Sequence, residues 1–537
     1  MNNSLLIIND IHIEGFDGRK WLSIVDHVNL KLDRGEVLGL IGESGAGKTT
    51  LGLAAMGYVR PGCRIREGKI LFDNMDLNRI SKHEKRKLRG SRIAYVAQSA
   101  AASFNPSSKL IHQFAEVPLK LGLMTNAEAE IKAVEWYSRL NLPEPEKIGY
   151  RYPHQVSGGQ LQRAMVAMAM AANPDIIIFD EPTTALDVTT QIEMLAAIKK
   201  IIKIEKKSAI YISHDLSVVA QLANRIMVLK NGCLVEEGDT KQLLENPEKN
   251  YTQKLLSVRS SRNQNKLTIN CSSTILEVNN IFAGYVPDKV ILKNVSLKVK
   301  KQKTVAVIGE SGSGKTTLAR IITGLLPSSK GNILFDGKLL PRDLASRDKR
   351  TLRRLQMIYQ MPDVALNPRL KISKIIGRPL SFYFNMRGKE LKRKIIELLD
   401  MVDLPSKYIY KYSNELSGGE KQRICIARAI AAKPDLIICD EVTSALDPLV
   451  GDDILKLLQD IQNELKVSYL FITHDLKTVN AVADEIVVLL KGEIVDKGNK
   501  KDILNPPYIE YTKLLLSSIP ELDPNWMDNL LETRGGK

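Results

Sequence analysis

The chain contains its own pattern twice. IGESGAGKTTL at 41–51 returns as IGESGSGKTTL at 308–318. VSGGQLQRAMVAMAMAANPDIIIFDEPTTALD at 156–187 returns as LSGGEKQRICIARAIAAKPDLIICDEVTSALD at 416–447, and YISHDL at 211–216 as FITHDL at 471–476. Lys48 and Lys315 are 267 residues apart, whereas Ser157 and Ser417, Asp180 and Asp440, and His214 and His474 are each 260 apart. Such a period far exceeds the roughly 20–50 residues of solenoid repeats and matches a whole domain. The reading is a first domain at 1–256, a polar linker at 257–274, a second domain at 275–520 and a C-terminal tail at 521–537.

Composition narrows the class. With 44% hydrophobic and 26% charged residues the chain is ordinary globular material. No window reaches the roughly 18 uninterrupted apolar residues of a membrane span. The opening MNNSLLIINDIHIEG lacks a basic n-region and a small-residue cleavage site, so it reads as a first strand. Cys63, Cys233, Cys271, Cys425 and Cys439 stand singly, with no C-x-x-C pair. Cysteine spacing therefore indicates neither a disulfide framework nor a zinc site, and a reducing cytoplasm fits. The net charge of +16 suits an anionic partner or simply a solvated lysine-rich surface. The basic residues are spread along the chain, which favours the second.

The chemistry sits in the repeated segments. GEVLGLI at 35–41 is a buried-strand pattern, and a helical run starts at Thr50. Between them Gly42, Glu43, Ser44, Gly45, Ala46, Gly47, Lys48 and Thr49 spell the phosphate-binding loop G-x-x-x-x-G-K-[ST]. Its glycines let backbone N–H groups approach phosphate oxygens, and the helix N-terminus adds a positive dipole end. Lys48 is expected to reach the β- and γ-phosphates of ATP, and the Thr49 hydroxyl to ligate Mg²⁺. Gly309, Glu310, Ser311, Gly312, Ser313, Gly314, Lys315 and Thr316, followed by Thr317, repeat the arrangement.

DIIIFDE at 175–181 and DLIICDE at 435–441 read as strands buried on both faces. Asp180 and Asp440 fall at their carboxyl ends, where doubly wound sheets bind ligands, and are candidate Mg²⁺ ligands. Glu181 and Glu441 follow and suit a general base acting on water. His214 and His474 end further β-rich runs and would face the γ-phosphate if those strands run parallel to the aspartate strands. Gln98 and Gln360 end short strands, where glutamine ligates Mg²⁺, positions water or is an ordinary strand-end amide.

Together these residues resemble the ATP-binding-cassette ATPases. The distinguishing element is VSGGQ at 156–160 and LSGGE at 416–420, each followed by a Gln-Arg pair (Gln162-Arg163, Gln422-Arg423). The ordered set of phosphate loop, glutamine, signature, Asp-Glu, the aspartates Asp187 and Asp447, and histidine covers nearly the whole chain, twice. The resemblance implies an α/β fold: two tandem P-loop NTPase domains, each with a mainly parallel sheet core, an antiparallel β subdomain and an α-helical signature subdomain. It also implies that ATP is shared between halves. Lys48 would work with Ser417, Gly418, Gly419 and Glu420, and Lys315 with Ser157, Gly158, Gly159 and Gln160. Tyr285 is placed to stack on adenine in the second half; in the first, Phe16 and Trp21 both qualify.

YVAQSAAASFNP at 95–106, YQMPDVALNPR at 359–369 and the tails ENPEKNYTQKLL and NPPYIEYTKLLL look like the oligopeptide/dipeptide/nickel importer subfamily. There are departures: Val156 stands for the usual signature leucine, Val442 for the proline found at Pro182, and no C-terminal cysteine cluster is present to hold an iron–sulfur centre. The resemblance implies an ATPase peripheral to the cytoplasmic face of the cell membrane. Its partners would be two transmembrane permease subunits and an extracytoplasmic substrate-binding protein, with no nucleic acid. The alternatives are a soluble tandem-cassette ATPase acting on ribosomes or nucleic acid, and a fused sugar-importer ATPase.

Overall fold

VLGLI, IIIFD and SAIYI carry no apolar–polar alternation, and every residue in them is buried. Such strands need cover on both faces. In the computed structural model, which describes residues 4–184, 186–257, 273–286, 289–444 and 446–535, they form the centre of a six-stranded sheet. Its order is Cys233–Asp239, Arg225–Lys230, Val37–Ile41, Ser208–Ile212, Ile176–Asp180, Ile93–Val96. All pairs are parallel except the edge hairpin at 225–239. The counterpart in the second half runs Leu355–Ile358, Leu436–Asp440, Ser468–Ile472, Thr304–Ile308, Glu485–Leu490, Glu493–Asn499.

Alternating strands build a second layer. LKNVSLKVK at Leu292–Lys300 buries every other residue from Val295 onward, the pattern of a sheet with one wet face. It pairs antiparallel with Thr274–Ala283, which pairs antiparallel with Lys330–Phe335. In the first half Trp21–Asp33, Ser4–Phe16 and Cys63–Phe72 do the same. Leu6, Ile8, Val28 and Leu30 from this sheet share one core with Leu38, Ile178 and Ile210 of the parallel sheet. Helices Leu110–Lys120, Asn126–Arg139 and Gly158–Met170 form a third element, matched in the second half by Ile372–Phe384, Gly388–Asp400 and Gly418–Ile430.

The chain divides into two compact units, Met1–Val258 with Pro520–Lys537, and Arg259–Ile519. The linker read at 257–274 lies, apart from its ends, outside the described residues. The segment read as a C-terminal tail at 521–537 is grouped with the first unit. Gln221 Nε2 donates to the carbonyls of Glu521 (2.8 Å) and Asp523 (3.0 Å), and its Oε1 accepts from the Met527 amide at 3.1 Å. Met527 is fully buried, and Lys199 pairs with Asp528 at 3.0 Å. Among the described residues no helix is long and apolar enough to cross a membrane.

Candidate nucleotide sites

Each phosphate loop links a central strand to a helix, Val37–Ile41 to Lys48–Ala55 and Thr304–Ile308 to Lys315–Thr323. Gly42 and Gly309 take φ of 154° and 151°. A Cβ there would lie 2.1 Å from the carbonyl oxygens of Leu229 and Leu489, so only glycine lets the loop leave the strand at this angle. Gly45 and Gly312 face open space on the other side. Lys48 and Lys315 are buried. The Lys48 ammonium donates to the carbonyls of Gly42 (2.8 Å) and Glu43 (2.9 Å), and that of Lys315 to Gly309 (2.8 Å) and Glu310 (2.7 Å).

Parallel register brings the remaining groups together. Asp180 lies beside Ile212, and Asp440 beside Ile472, which carries His214 and His474 to the carboxylates. The Thr49 hydroxyl donates to Asp180 Oδ1 at 2.9 Å, and that of Thr316 to Asp440 Oδ1 at 3.2 Å. His214 Nδ1 is 3.2 Å from Glu181 Oε1, and His474 Nδ1 is 3.1 Å from Glu441 Oε1. The amides of Gln98 and Gln360 donate to Glu181 (3.1 Å) and Glu441 (2.6 Å). In this arrangement the glutamines therefore sit on the glutamates, not on the aspartates.

Glu181 and Glu441 adopt left-handed φ of 47° and 49°. Their amides donate to the carbonyls of Ile212 and Ile472 at 2.9 Å. A non-glycine residue here stores roughly 1–3 kcal/mol of strain, a habit of functional sites. Burial alone would raise both carboxyls. The hydrogen bond and charge of the adjacent histidine, with the nearby lysine, outweigh it and hold both below the ordinary glutamate value. Burial would lower His474, yet its bond to Glu441 raises it.

The two aspartates differ. Burial raises both. Tyr95, lying on the neighbouring strand beside Ile178, donates its hydroxyl to Asp180 Oδ2 at 2.6 Å and, with Thr49, opposes the rise. Met357 holds the matching place beside Ile438 and has nothing to donate. Asp440 is pushed up to about 6 by burial and by the charge of Glu441. Sequence reasoning passed over Tyr95; the one signal for it was a polar-tipped ring in an otherwise apolar run, RIAYVAQ.

The hydroxyl and carboxylate pairs fit magnesium. Adjacent oxygens of an octahedron with bonds of about 2.0–2.1 Å lie about 2.9 Å apart, the Thr49–Asp180 separation, and both donors are the hard oxygens this ion prefers.

The signature serines cap helices. Ser157 Oγ accepts from the Gln160 amide at 3.3 Å, and Gln160 Oε1 accepts from the Ser157 amide at 3.0 Å. Ser417 and Glu420 repeat this reciprocal box, with Tyr408 donating at 2.5 Å to the other Glu420 oxygen. The two glycines that follow serve different ends. A Cβ on Gly159 would lie 2.6 Å from Thr190 Cγ2, and one on Gly419 2.5 Å from Val450 Cγ1, while one on Gly158 meets nothing within 4 Å. Thr190 cannot turn freely, because its hydroxyl donates to Asp187 Oδ2 at 3.1 Å. Gly159→Ala should therefore cost about 1–3 kcal/mol by overpacking. Gly158→Ala should leave stability within about 0.5 kcal/mol of the parent, and it should impair ATP turnover if nucleotide approaches on its open side. Denaturant unfolding and phosphate release on the two variants separate these effects.

The adenine candidates are exposed. Phe16 and Trp21 face each other across the end of one hairpin, centroids 5.3 Å apart, with the Arg64 guanidinium 4.0 Å above Trp21. Tyr285 accepts at its hydroxyl from Arg320 at 3.0 Å, which ties it to the helix after the second phosphate loop.

Compared with known families, residues 25–184 and 292–444 match the ABC transporter family, and 235–278 and 495–537 match the oligopeptide/dipeptide transporter C-terminal region. The glutathione import ATP-binding protein GsiA of Salmonella paratyphi A is 33% identical over 568 residues, spanning 98% of this chain and 91% of that one. The peptidoglycan transport ATP-binding protein YejF of Agrobacterium fabrum is 35% identical over 525 residues, spanning 96% of each. With the phosphate loops, signatures and carboxylates present in both halves, the chain belongs to the ABC transporter family, as an ATPase with two cassettes fused in one polypeptide.

Proposed function

We propose that the chain energises inward transport of small peptides or peptide-like solutes. Both units keep lysine, aspartate, glutamate and histidine in matching geometry, and this observation carries the reading that both hydrolyse ATP. Lys48 and Lys315 bind the β- and γ-phosphates. Thr49 with Asp180, and Thr316 with Asp440, hold Mg²⁺, which when bound neutralises phosphate charge. Glu181 and Glu441 accept the proton of the attacking water. His214 and His474 orient those glutamates and contact the γ-phosphate, and Gln98 and Gln360 complete the polar wall. Ser157, Gly158, Gly159 and Gln160 close over the nucleotide held by Lys315, and Ser417, Gly418, Gly419 and Glu420 over the one held by Lys48. Phe16 or Trp21, and Tyr285, stack on adenine. The match to the oligopeptide/dipeptide C-terminal region and the names of the relatives support peptide-type cargo. The partners are two transmembrane permease subunits, docking near 98–120 and 360–382, and an extracytoplasmic substrate-binding protein, with this chain peripheral at the cytoplasmic membrane face.

The test is uptake of labelled di- and oligopeptides and glutathione in cells lacking the chain, complemented with wild type or with Lys48→Ala and Lys315→Ala together. Wild type should restore uptake and the double variant should not. Loss of sugar uptake with normal peptide uptake would overturn the cargo assignment and leave the ATPase standing.

A further inference from the structure

The antiparallel sheet of the first unit gathers two histidines and three carboxylates that nucleotide chemistry does not use. Residues 8–13 on one strand and 25–30 on its partner pair with successive register shifts. These bulges turn His12, Asp26 and His27 toward one another. His12 Nδ1 lies 3.4 Å from His27 Nε2 and 3.4 Å from Asp26 Oδ1, and the three ligand atoms all fall within 4.8 Å of one another. A nitrogen–nitrogen gap of 3.4 Å is long for a hydrogen bond. It is the edge of a tetrahedron whose centre lies about 2.0–2.1 Å from nitrogen and oxygen ligands, the zinc distance.

The outer partners agree. His27 Nδ1 donates to Asp10 Oδ1 at 2.9 Å, which leaves the lone pair of Nε2 facing the cluster. The far nitrogen of His12, Nε2, is buried with no hydrogen-bond partner among the described residues, and Glu14 Oε1 stands 3.9 Å away, itself held by Arg64 and Arg66. A carboxylate hydrogen-bonded behind a ligating imidazole, as Asp10 is behind His27, is the usual second layer of a metal centre. We propose that His12, His27 and Asp26 bind a zinc-like divalent transition-metal ion, with solvent completing the tetrahedron.

The fold itself does not require these residues. In the second unit Ile281 and Val295 pair as Ile11 and Val28 do, so Phe282 and Asn294 occupy the places of His12 and His27. There the Asn280 amide donates to Asn294 Oδ1 at 2.7 Å, an uncharged replacement for Asp10 and His27. All four of these residues share left-handed φ of 49–55°. The same bulge is thus made without an ionisable group in one unit and with a ligand set in the other. Ile24, two residues before Asp26, places its carbonyl where a Cβ on Gly47 of the phosphate loop would meet it at 2.8 Å. A metal ion joining the two strands would stiffen the wall behind that loop.

The test uses the full chain without a histidine tag, in excess Mg²⁺ to occupy the nucleotide sites. Zn²⁺ is titrated by calorimetry, and Co²⁺ by its visible absorption, which is intense only when four-coordinate. Wild type should bind one equivalent with the tetrahedral Co²⁺ spectrum. His12→Phe with His27→Asn, which copies the second unit's own residues and so preserves the bulge, should abolish both signals. Asp10→Asn should weaken Zn²⁺ binding about 10–100-fold. An isotherm in the double variant equal to wild type, or no stoichiometric Zn²⁺ binding by wild type, would overturn the assignment.

Discussion

Replacing Glu181 and Glu441 together by glutamine should leave ATP binding near the parent level and lower turnover by about 10²–10⁴-fold, the usual contribution of a positioned base. The placement of these side chains depends on backbone, not on charge. Each sits at a left-handed φ with its amide bound to the neighbouring strand, so the isosteric amide stays where the carboxylate was. The amide oxygen can keep the histidine contact, and the Gln98 and Gln360 amides, which bind the other carboxylate oxygen, can keep theirs by turning to present oxygen to the new NH2 group. What is lost is the ability to take a proton. The ordinary carboxylate faces an obstacle of its own: burial would raise its proton affinity, but in this arrangement the histidine donors, with the nearby lysine charges, lower it. Those donors must turn away, toward nucleotide, before either glutamate becomes an effective base. Equilibrium ATP binding beside steady-state phosphate release measures the split; turnover close to wild type in the double variant would remove these residues from the base role.

The second large effect concerns stability. Asp440→Asn should stabilise the second unit at pH 7.5 in the absence of Mg²⁺ by up to about 3 kcal/mol, since a carboxyl raised from 3.8 to about 6 carries about 1.36 kcal/mol per pH unit. The sign follows from protonation. Above about pH 6 the native state holds a buried, desolvated carboxylate beside Glu441. As the pH falls through 6 the native form takes up a proton that the unfolded chain does not take until about 4. Wild type should therefore gain stability from this group between pH 7 and 4 and lose it as the pH rises again, while the asparagine variant shows no such slope. Asp180→Asn should gain less, because the Tyr95 hydroxyl already partners that carboxylate. Denaturant unfolding across pH, following each unit's transition separately, distinguishes the two. An Asp440→Asn variant less stable than wild type at pH 7.5 would contradict this account. Either asparagine variant should gain its stability at the expense of Mg²⁺-dependent hydrolysis.

The repeat, the phosphate loops and the all-buried strands were legible because each is a local pattern. VLGLI followed by Gly42 to Thr49 specifies strand, loop and helix within fifteen residues. The pairing of histidine with glutamate was not local. Sequence reasoning expected His214 to face the γ-phosphate; the contact of its Nδ1 with Glu181, created by strand register, was not foreseen. The Tyr95 bond to Asp180 and the His12–Asp26–His27 cluster depend on neighbouring strands and, in the second case, on bulges that shift side chains between faces. Alternation alone would have put His12 and His27 simply on a strand surface. The last segment was invisible for another reason: DPNWMDNLL has no periodicity long enough to name its partner, and its partner is Gln221, about 300 positions earlier.

That return has a consequence for how the molecule comes into being. A ribosome finishes residues 4–257 before the second unit, yet Met527, fully buried in the first, is made only after residues 259–519. The earliest cassette to emerge therefore waits through synthesis of its whole twin before its own core is closed. Gln221, which bonds Glu521, Asp523 and Met527, meanwhile keeps only its 3.3 Å bond to the Ser217 carbonyl and must otherwise turn to water. A stop codon just after the one for Ile519 would spare the second cassette, whose code it adjoins, and wound the first.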